Sequence, residues 1–173
     1  MTAQAHCIAN GGEIQAVVFR LGAETFALPV TLVREILDWR AAFRMPGAPA
    51  WLLGLTDVRG ASVPMVDLRL QLGMAPVDPD ATTRVLVIDL AGMGRDGGPL
   101  VLGLVVDKVL DVAGFAASAR EDIPDIGSRW RADFVAAVMR RDGAFVLLLD
   151  LAGVLAGVDL ATGCAPDVLE TAA

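Results

Sequence analysis

The chain has 173 residues, of which 55% are hydrophobic, and its formal net charge is −7. An acidic chain lacks the basic face that phosphate binding requires, so the composition argues against nucleic acid as a partner. The longest apolar stretch, residues 145–161, is interrupted by Asp150 and Asp159 and falls short of the ~20 apolar residues that a membrane-spanning helix needs. We therefore expect no direct insertion into a membrane.

The two ends of the chain are predicted to be tails, at residues 1–12 and 158–173, around a folded region at 13–157. Residues 1–12 contain no basic cluster followed by an apolar run, so no secretory signal is expected. Cys7 and Cys164 both lie in these end segments, without metal-binding or redox spacing. A cytoplasmic location is the interpretation that fits best.

Apolar runs of strand length recur between turns that contain Gly or Pro, a pattern typical of β structure. Several runs are apolar throughout, which indicates strands covered on both faces. Helical signals are fewer. Residues 30–37 fit a short helix or an irregular entry to a strand, 49–53 fit one helical turn, and 68–72 and 149–155 fit short helices. The predicted strands are 16–21, 26–29, 54–58, 62–66, 85–90, 100–106, 135–139 and 145–149.

Three pairs of short motifs indicate an internal repeat. Residues 33–36 (VREI) resemble 109–112 (VLDV) at an offset of 76 positions. The turn 58–61 (VRGA) resembles 141–144 (RDGA), and 66–68 (VDL) resemble 149–151 (LDL), both at an offset of 83. The longer second connection is placed at 115–131. We predict a mainly β chain of two small intertwined barrels, with approximate boundaries at 16–72 and 84–156, because closing a sheet removes its exposed edges.

Catalytic chemistry has no good candidate in this sequence. His6 is the only histidine and lies in the predicted N-terminal tail, so neither a histidine base nor a zinc site is expected. Aspartates that follow apolar runs would suit Ca²⁺ or Mg²⁺, although their repeated position favours turns and helix caps. They are Asp57, Asp67, Asp89, Asp107 and Asp150. We predict a non-enzyme without cofactor or metal, and a small metal-binding barrel is the less favoured alternative.

Two features stand out for binding, one polar pair and one tryptophan. If the first half closes as a barrel, Glu35 and Arg59 can reach one edge and form a bidentate ion pair. The alternative is two separate solvated charges. Trp39 stands beside polar residues, which suits an exposed anchor at a protein interface or, alternatively, partly buried packing.

Residues 54–69 (GLTDVRGASVPMVDLR) resemble the signature of the CheW family of chemotaxis coupling proteins, supported by 103–112 (GLVVDKVLDV). The resemblance runs from about residue 13 to 156. It implies two five-stranded SH3-like barrels around a shared hydrophobic core. It also implies a non-catalytic adaptor that links the regulatory domain of the histidine kinase CheA to the cytoplasmic tip of chemoreceptors, in arrays that can include other CheW-like copies in rings. The same fold in an array for surface motility or development is an alternative.

The resemblance also implies site residues. Glu35 and Arg59 match a pair on the kinase-facing side. The receptor-binding groove between the barrels is matched by Val30, Val33, Val109 and Val112. Glycines that the backbone requires are matched by Gly54, Gly60 and Gly103. The repeat supports the groove, because its two valine motifs would face each other across a pseudo-two-fold axis, although each valine taken alone fits a core position equally well.

Overall fold

A computed structural model describes residues 12–121, 132–156 and 158. The predicted tails therefore lie almost wholly outside the described residues, together with His6, Cys7 and Cys164. The strands are β1 Ile14–Leu21, β2 Glu24–Pro29, β3 Val33–Asp38, β4 Leu52–Val58, β5 Ala61–Asp67, β6 Arg84–Leu90, β7 Leu100–Val106, β8 Lys108–Phe115, β9 Arg120–Glu121, β10 Val135–Arg141 and β11 Ala144–Leu149. Short helices are α1 Leu68–Gln71 and α2 Leu151–Val154, with 3-10 turns at Val30–Leu32, Arg95–Gly97, Ala117–Ala119 and Ala132–Phe134. The predicted mainly β fold is confirmed.

Two sheets organise these strands. One sheet has the order β8-β1-β2-β11-β10-β9 and draws on two distant chain segments, so we call it the split barrel. The other has the order β3-β6-β7-β5-β4, and all of its strands lie between residues 33 and 106, so we call it the continuous barrel. The two-residue strand β9 adds a sixth strand to the five expected for the split barrel.

The predicted barrel boundaries, 16–72 and 84–156, are corrected by the strand pairing. β6 and β7 complete the barrel that β3–β5 begin, because β5 pairs in parallel with β7. The N-terminal hairpin β1–β2 completes the other barrel, because β2 pairs in parallel with β11. The repeating unit therefore starts near residue 33, and its second copy takes its last hairpin from the N-terminus.

With that correction, the internal repeat is confirmed strand by strand. The split-barrel order β8-β1-β2-β11-β10 corresponds to the continuous-barrel order β3-β6-β7-β5-β4. The isolated bridge between Phe43 and Leu55 holds the place that β9 holds beside β10. Asp67 and Asp150 each cap the helix that follows them. Their backbone N–H groups donate to Trp51 and Phe134 respectively, each at 2.8 Å.

The apolar runs are buried on both sides because each barrel has its own interior and the two barrels share a core. In β1, alternate residues such as Ala16 and Val18 face the split-barrel interior, while Val17 and Phe19 join the shared core. The shared core also takes side chains from β2, β6, β7, β11 and both helices. Because the two faces of β1 serve different cores, its sequence shows no polar alternation.

Candidate binding surface

Glu35 and Arg59 form an ion pair across the open seam of the continuous barrel. They come from β3 and from the β4–β5 turn, and β3 and β4 are the two end strands of that sheet. Arg59 donates from Nε to Glu35 Oε1 at 3.1 Å and from Nη2 to Oε2 at 3.2 Å. The Arg59 side chain is 82% exposed and that of Glu35 is 17% exposed. The hydrogen bond to Glu35 raises the pKa of Arg59 above its ordinary value.

Local backbone chemistry sets the position of each partner. Arg59 has φ 51° and Gly60 has φ 83°, which is the left-handed geometry of a tight hairpin turn. The Asp57 carboxylate accepts the Gly60 N–H at 3.0 Å and so holds that turn. On the other side, a β-bulge between Val33 and Glu35 displaces the β3–β6 register by one residue. Leu37, Val58 and Val85 line a cavity of about 190 Å³ beside the ion pair.

The four predicted groove valines separate into two classes. Val33 and Val109 are partly buried and pack against the shared core. Val30 and Val112 are exposed, by 38% and 50%. The 3-10 turn Val30–Leu32 lies against β1 of the split barrel and against β6 of the continuous barrel, so this segment stands where the two barrels meet.

The three predicted glycines meet different surroundings. Gly54 has φ 138°, and a Cβ there would stand 2.0 Å from the carbonyl oxygen of Phe43. At Gly103 a Cβ would stand 2.8 Å from Val85 Cγ1. At Gly60 only the positive φ matters, because nothing lies within 4 Å of the Cβ position. A side chain at Gly54 would therefore disturb the backbone of the neighbouring segment as well as its own.

The strand-end aspartates serve turns, caps and ion pairs. Asp57 holds the β4–β5 turn, Asp67 and Asp150 cap the two helices, Asp89 binds Arg34, and Asp107 binds Arg69. Burial raises the pKa of Asp67 above its ordinary value, although two backbone N–H groups oppose that shift. Among the described residues, no group of three or more His, Cys, Asp or Glu side chains is arranged to hold a metal ion.

Sequence reasoning missed a larger cavity of about 670 Å³ on the continuous barrel. Its walls come from the loop before β4, the start of β4, α1 and the loop after α1, and they include Leu53, Leu70 and Val77 with the Arg69–Asp107 ion pair. Trp39 is partly buried and lines this cavity, so it is not a freely exposed anchor. Because the lining residues come from separated loops, no single motif could have indicated the cavity.

No helix in the described part of the chain is both long and apolar enough to cross a bilayer.

Comparison with known proteins gives consistent results. The model of the CheW-like domain family matches residues 15–159. The chemotaxis protein CheW of Rhizobium meliloti is 35% identical over 151 residues, which cover 87% of this chain and 92% of the relative. A probable chemotaxis protein CheW of Rhizobium etli is 32% identical over 142 residues, which cover 82% of this chain and 87% of the relative.

A solved structure shares the fold. The crystal structure of the scaffolding protein TtCheW from Thermoanaerobacter tengcongensis superposes with a TM-score of 0.72 at 22% identity, covering 83% of this chain and 92% of that one. Together with the family match over most of the folded region, these results confirm the resemblance found in residues 54–69 and 103–112. The chain belongs to the CheW family of chemotaxis adaptor proteins.

Proposed function

We propose that this protein is a non-catalytic adaptor that binds the regulatory domain of the kinase CheA and the cytoplasmic tip of chemoreceptors, within receptor arrays at the cytoplasmic side of the membrane. The observation that carries this proposal is the Glu35–Arg59 ion pair at the seam of one barrel, in which the Arg59 side chain is largely exposed and Glu35 lies on the strand that also carries Val33. The assignment to chemotaxis signalling is supported by the two relatives named above, which are chemotaxis proteins.

The receptor is proposed to bind where the barrels meet. Val30 offers exposed apolar area there, and Val112 offers exposed apolar area on the edge strand β8. Val33 and Val109 pack the two edge strands against the shared core. A receptor tip is a helical hairpin, and an apolar helix face fits an apolar groove. Because branching at Cβ restricts the first side-chain torsion of valine, such a surface loses little entropy on binding.

The kinase is proposed to use the charged seam. Arg59 donates hydrogen bonds to Glu35 from Nε and Nη2, and its side chain is largely exposed. The remaining N–H groups of the guanidinium can therefore donate to a partner. Glu35 holds the guanidinium in place before binding, which lowers the entropic cost of binding a partner.

The test is a co-sedimentation and pull-down assay with a receptor-tip fragment and the CheA regulatory domain. Val112→Glu places a charge on the proposed receptor surface and should abolish receptor binding without loss of fold, since Val112 is 50% exposed. The matched control is Val77→Glu, because Val77 is 58% exposed and lies in a loop that lines the larger cavity of the continuous barrel. Normal receptor binding by a folded Val112→Glu protein would show that the groove is wrongly placed.

A further inference from the structure

A second ion pair closes the seam of the split barrel. Arg141, at the end of β10, donates from Nη2 to Asp111 Oδ2 on β8 at 2.8 Å. The pairing of β10 with β9 stops at Met139, so among the described residues the end of β10 has no strand partner on that side. β8 is the opposite end strand of the same sheet. The pair therefore joins two strands that exchange no backbone hydrogen bonds.

This arrangement repeats that of Glu35 and Arg59. Asp111 is the equivalent of Glu35 in the internal repeat, and both follow a β-bulge, which lies between Val33 and Glu35 in β3 and between Val109 and Asp111 in β8. The residue equivalent to Arg59 is Asp142, and the arginine of the split barrel, Arg141, stands one position before it in the turn. An acidic residue after the bulge and an arginine at the hairpin turn thus recur in both barrels.

The Asp111 carboxylate also controls a residue of the proposed receptor surface. Its Oδ1 accepts the backbone N–H of Val112 at 2.7 Å, while its Oδ2 binds Arg141. Val112 is half exposed, and its own strand lies at the edge of the sheet. The bonds from Arg141 and from the Val112 N–H hold the pKa of Asp111 below its ordinary value, so the carboxylate is charged at neutral pH.

We propose that Asp111 and Arg141 are positioning residues for the partner-binding surface: they clamp β8 to β10 across the seam of the split barrel and fix Val112 in the orientation that a receptor helix meets. This inference rests on the receptor surface proposed above. The Asp111–Arg141 pair stands at the place in the split barrel that the Glu35–Arg59 pair occupies in the continuous barrel.

The experiment measures the affinity of the full-length protein for a purified receptor-tip fragment by isothermal titration. Asp111→Asn keeps an acceptor for the Val112 N–H and loses the charge, while Arg141→Gln removes the clamp from the other side. Each should weaken binding by about threefold to tenfold. The double variant should bind no more weakly than either single variant, because both remove one interaction. Asp111→Ala should weaken receptor binding further, since it also removes the acceptor of the Val112 N–H.

The matched control is the Glu121–Arg140 pair, which joins β9 and β10 in the same sheet with Nε to Oε1 at 2.8 Å. Glu121→Gln should leave receptor affinity unchanged. The amide resonance of Val112 should shift in Arg141→Gln but not in Glu121→Gln, because Arg141 is distant in sequence and bonds the carboxylate that accepts the Val112 N–H.

Two results would overturn the inference: wild-type affinity in Asp111→Ala, or losses in Asp111→Asn and Arg141→Gln that simply add. Val112→Glu separates this failure from failure of the proposed function. If Val112→Glu abolishes receptor binding while Asp111→Ala binds normally, the receptor surface stands and the clamp is wrong. If both variants bind normally, the receptor surface itself is wrong.

Discussion

The guanidinium of Arg69 and the carboxylate of Asp107 form an ion pair that connects the two barrels. Arg69 lies on α1 of the continuous barrel and donates from Nε to Asp107 Oδ1 at 2.7 Å. Asp107 stands between β7 and β8, and its Oδ2 accepts the backbone N–H of Gly22 at 2.7 Å. Gly22 belongs to the β1–β2 turn of the split barrel. One carboxylate therefore joins the barrels at the rim of their shared apolar core.

Removing that carboxylate should destabilise the whole protein. Asp107→Ala leaves the Arg69 guanidinium, whose side chain is only 12% exposed, without its charged partner and removes the acceptor of the Gly22 N–H. We expect a loss of about 2–3 kcal/mol in the free energy of unfolding. Urea denaturation measures it. The control is Asp78→Ala, an exposed loop residue of the same cavity, which should change stability by less than about 0.5 kcal/mol.

The same carboxylate should give stability a defined pH dependence. Burial alone would raise the pKa of Asp107, but the hydrogen bonds from Arg69 and Gly22 outweigh it and hold the pKa below its ordinary value. A lowered folded-state pKa stabilises the protein fully above the unfolded value of about 3.9, and this contribution disappears as the pH falls through the lower folded value. The advantage of wild type over Asp107→Asn in melting temperature should therefore persist from pH 7 to about 4 and shrink below.

The comparison includes Asp67, which titrates in both proteins and whose pKa is raised by burial and, in smaller part, by the charge of Asp107. Burial raises the pKa of Asp67, so its charge opposes folding near neutral pH and its contribution has the opposite sign. A difference between wild type and Asp107→Asn that stays constant from pH 7 to pH 3 would mean that the Asp107 charge is not what stabilises the fold.

Most strands were predictable because their residues are buried on both faces. All eight predicted strands lie within or at the ends of observed ones. The strand β8 was not among them, because its exposed residues interrupt the apolar run and a bulge breaks the alternation near Leu110. For residues 30–37 the sequence predicted either a short helix or an irregular strand. The structure has both, a 3-10 turn followed by the bulged strand β3. Bulged edge strands carry weak sequence signals because their side-chain periodicity is broken.

The boundaries of the two barrels were beyond sequence reasoning. Motif order suggests two consecutive halves, whereas the parallel pairing of β2 with β11 takes the N-terminal hairpin into the second copy of the repeat. Such long-range pairing leaves no local pattern. The ion pair of Asp111 with Arg141 could not be predicted from the repeat either. The repeat aligns Arg59 with Asp142, whereas the arginine that binds Asp111 is the neighbouring Arg141.

The predicted glycines should differ sharply when each is changed to alanine. Gly54→Ala should cost about 3 kcal/mol or more, because the new Cβ would stand 2.0 Å from the Phe43 carbonyl oxygen at a backbone φ of 138°. Gly60→Ala should cost about 1 kcal/mol, because its Cβ meets open space and only the left-handed φ is unfavourable. Chemical denaturation of the two variants tests the contrast, and equal losses would contradict the close approach of Phe43 to β4.

Changing Arg59 should separate binding from folding. The side chain is 82% exposed, so Arg59→Ala should leave the melting temperature close to that of wild type, while its backbone stays in the same left-handed turn. If a partner uses the guanidinium, assembly with receptor and kinase should weaken by about tenfold or more. Arg140→Ala is the control, since Arg140 is 53% exposed and also pairs with a glutamate. A large loss of melting temperature in Arg59→Ala would instead assign the residue to closure of the continuous barrel, and the Glu35→Arg, Arg59→Glu double variant would then recover stability without recovering assembly.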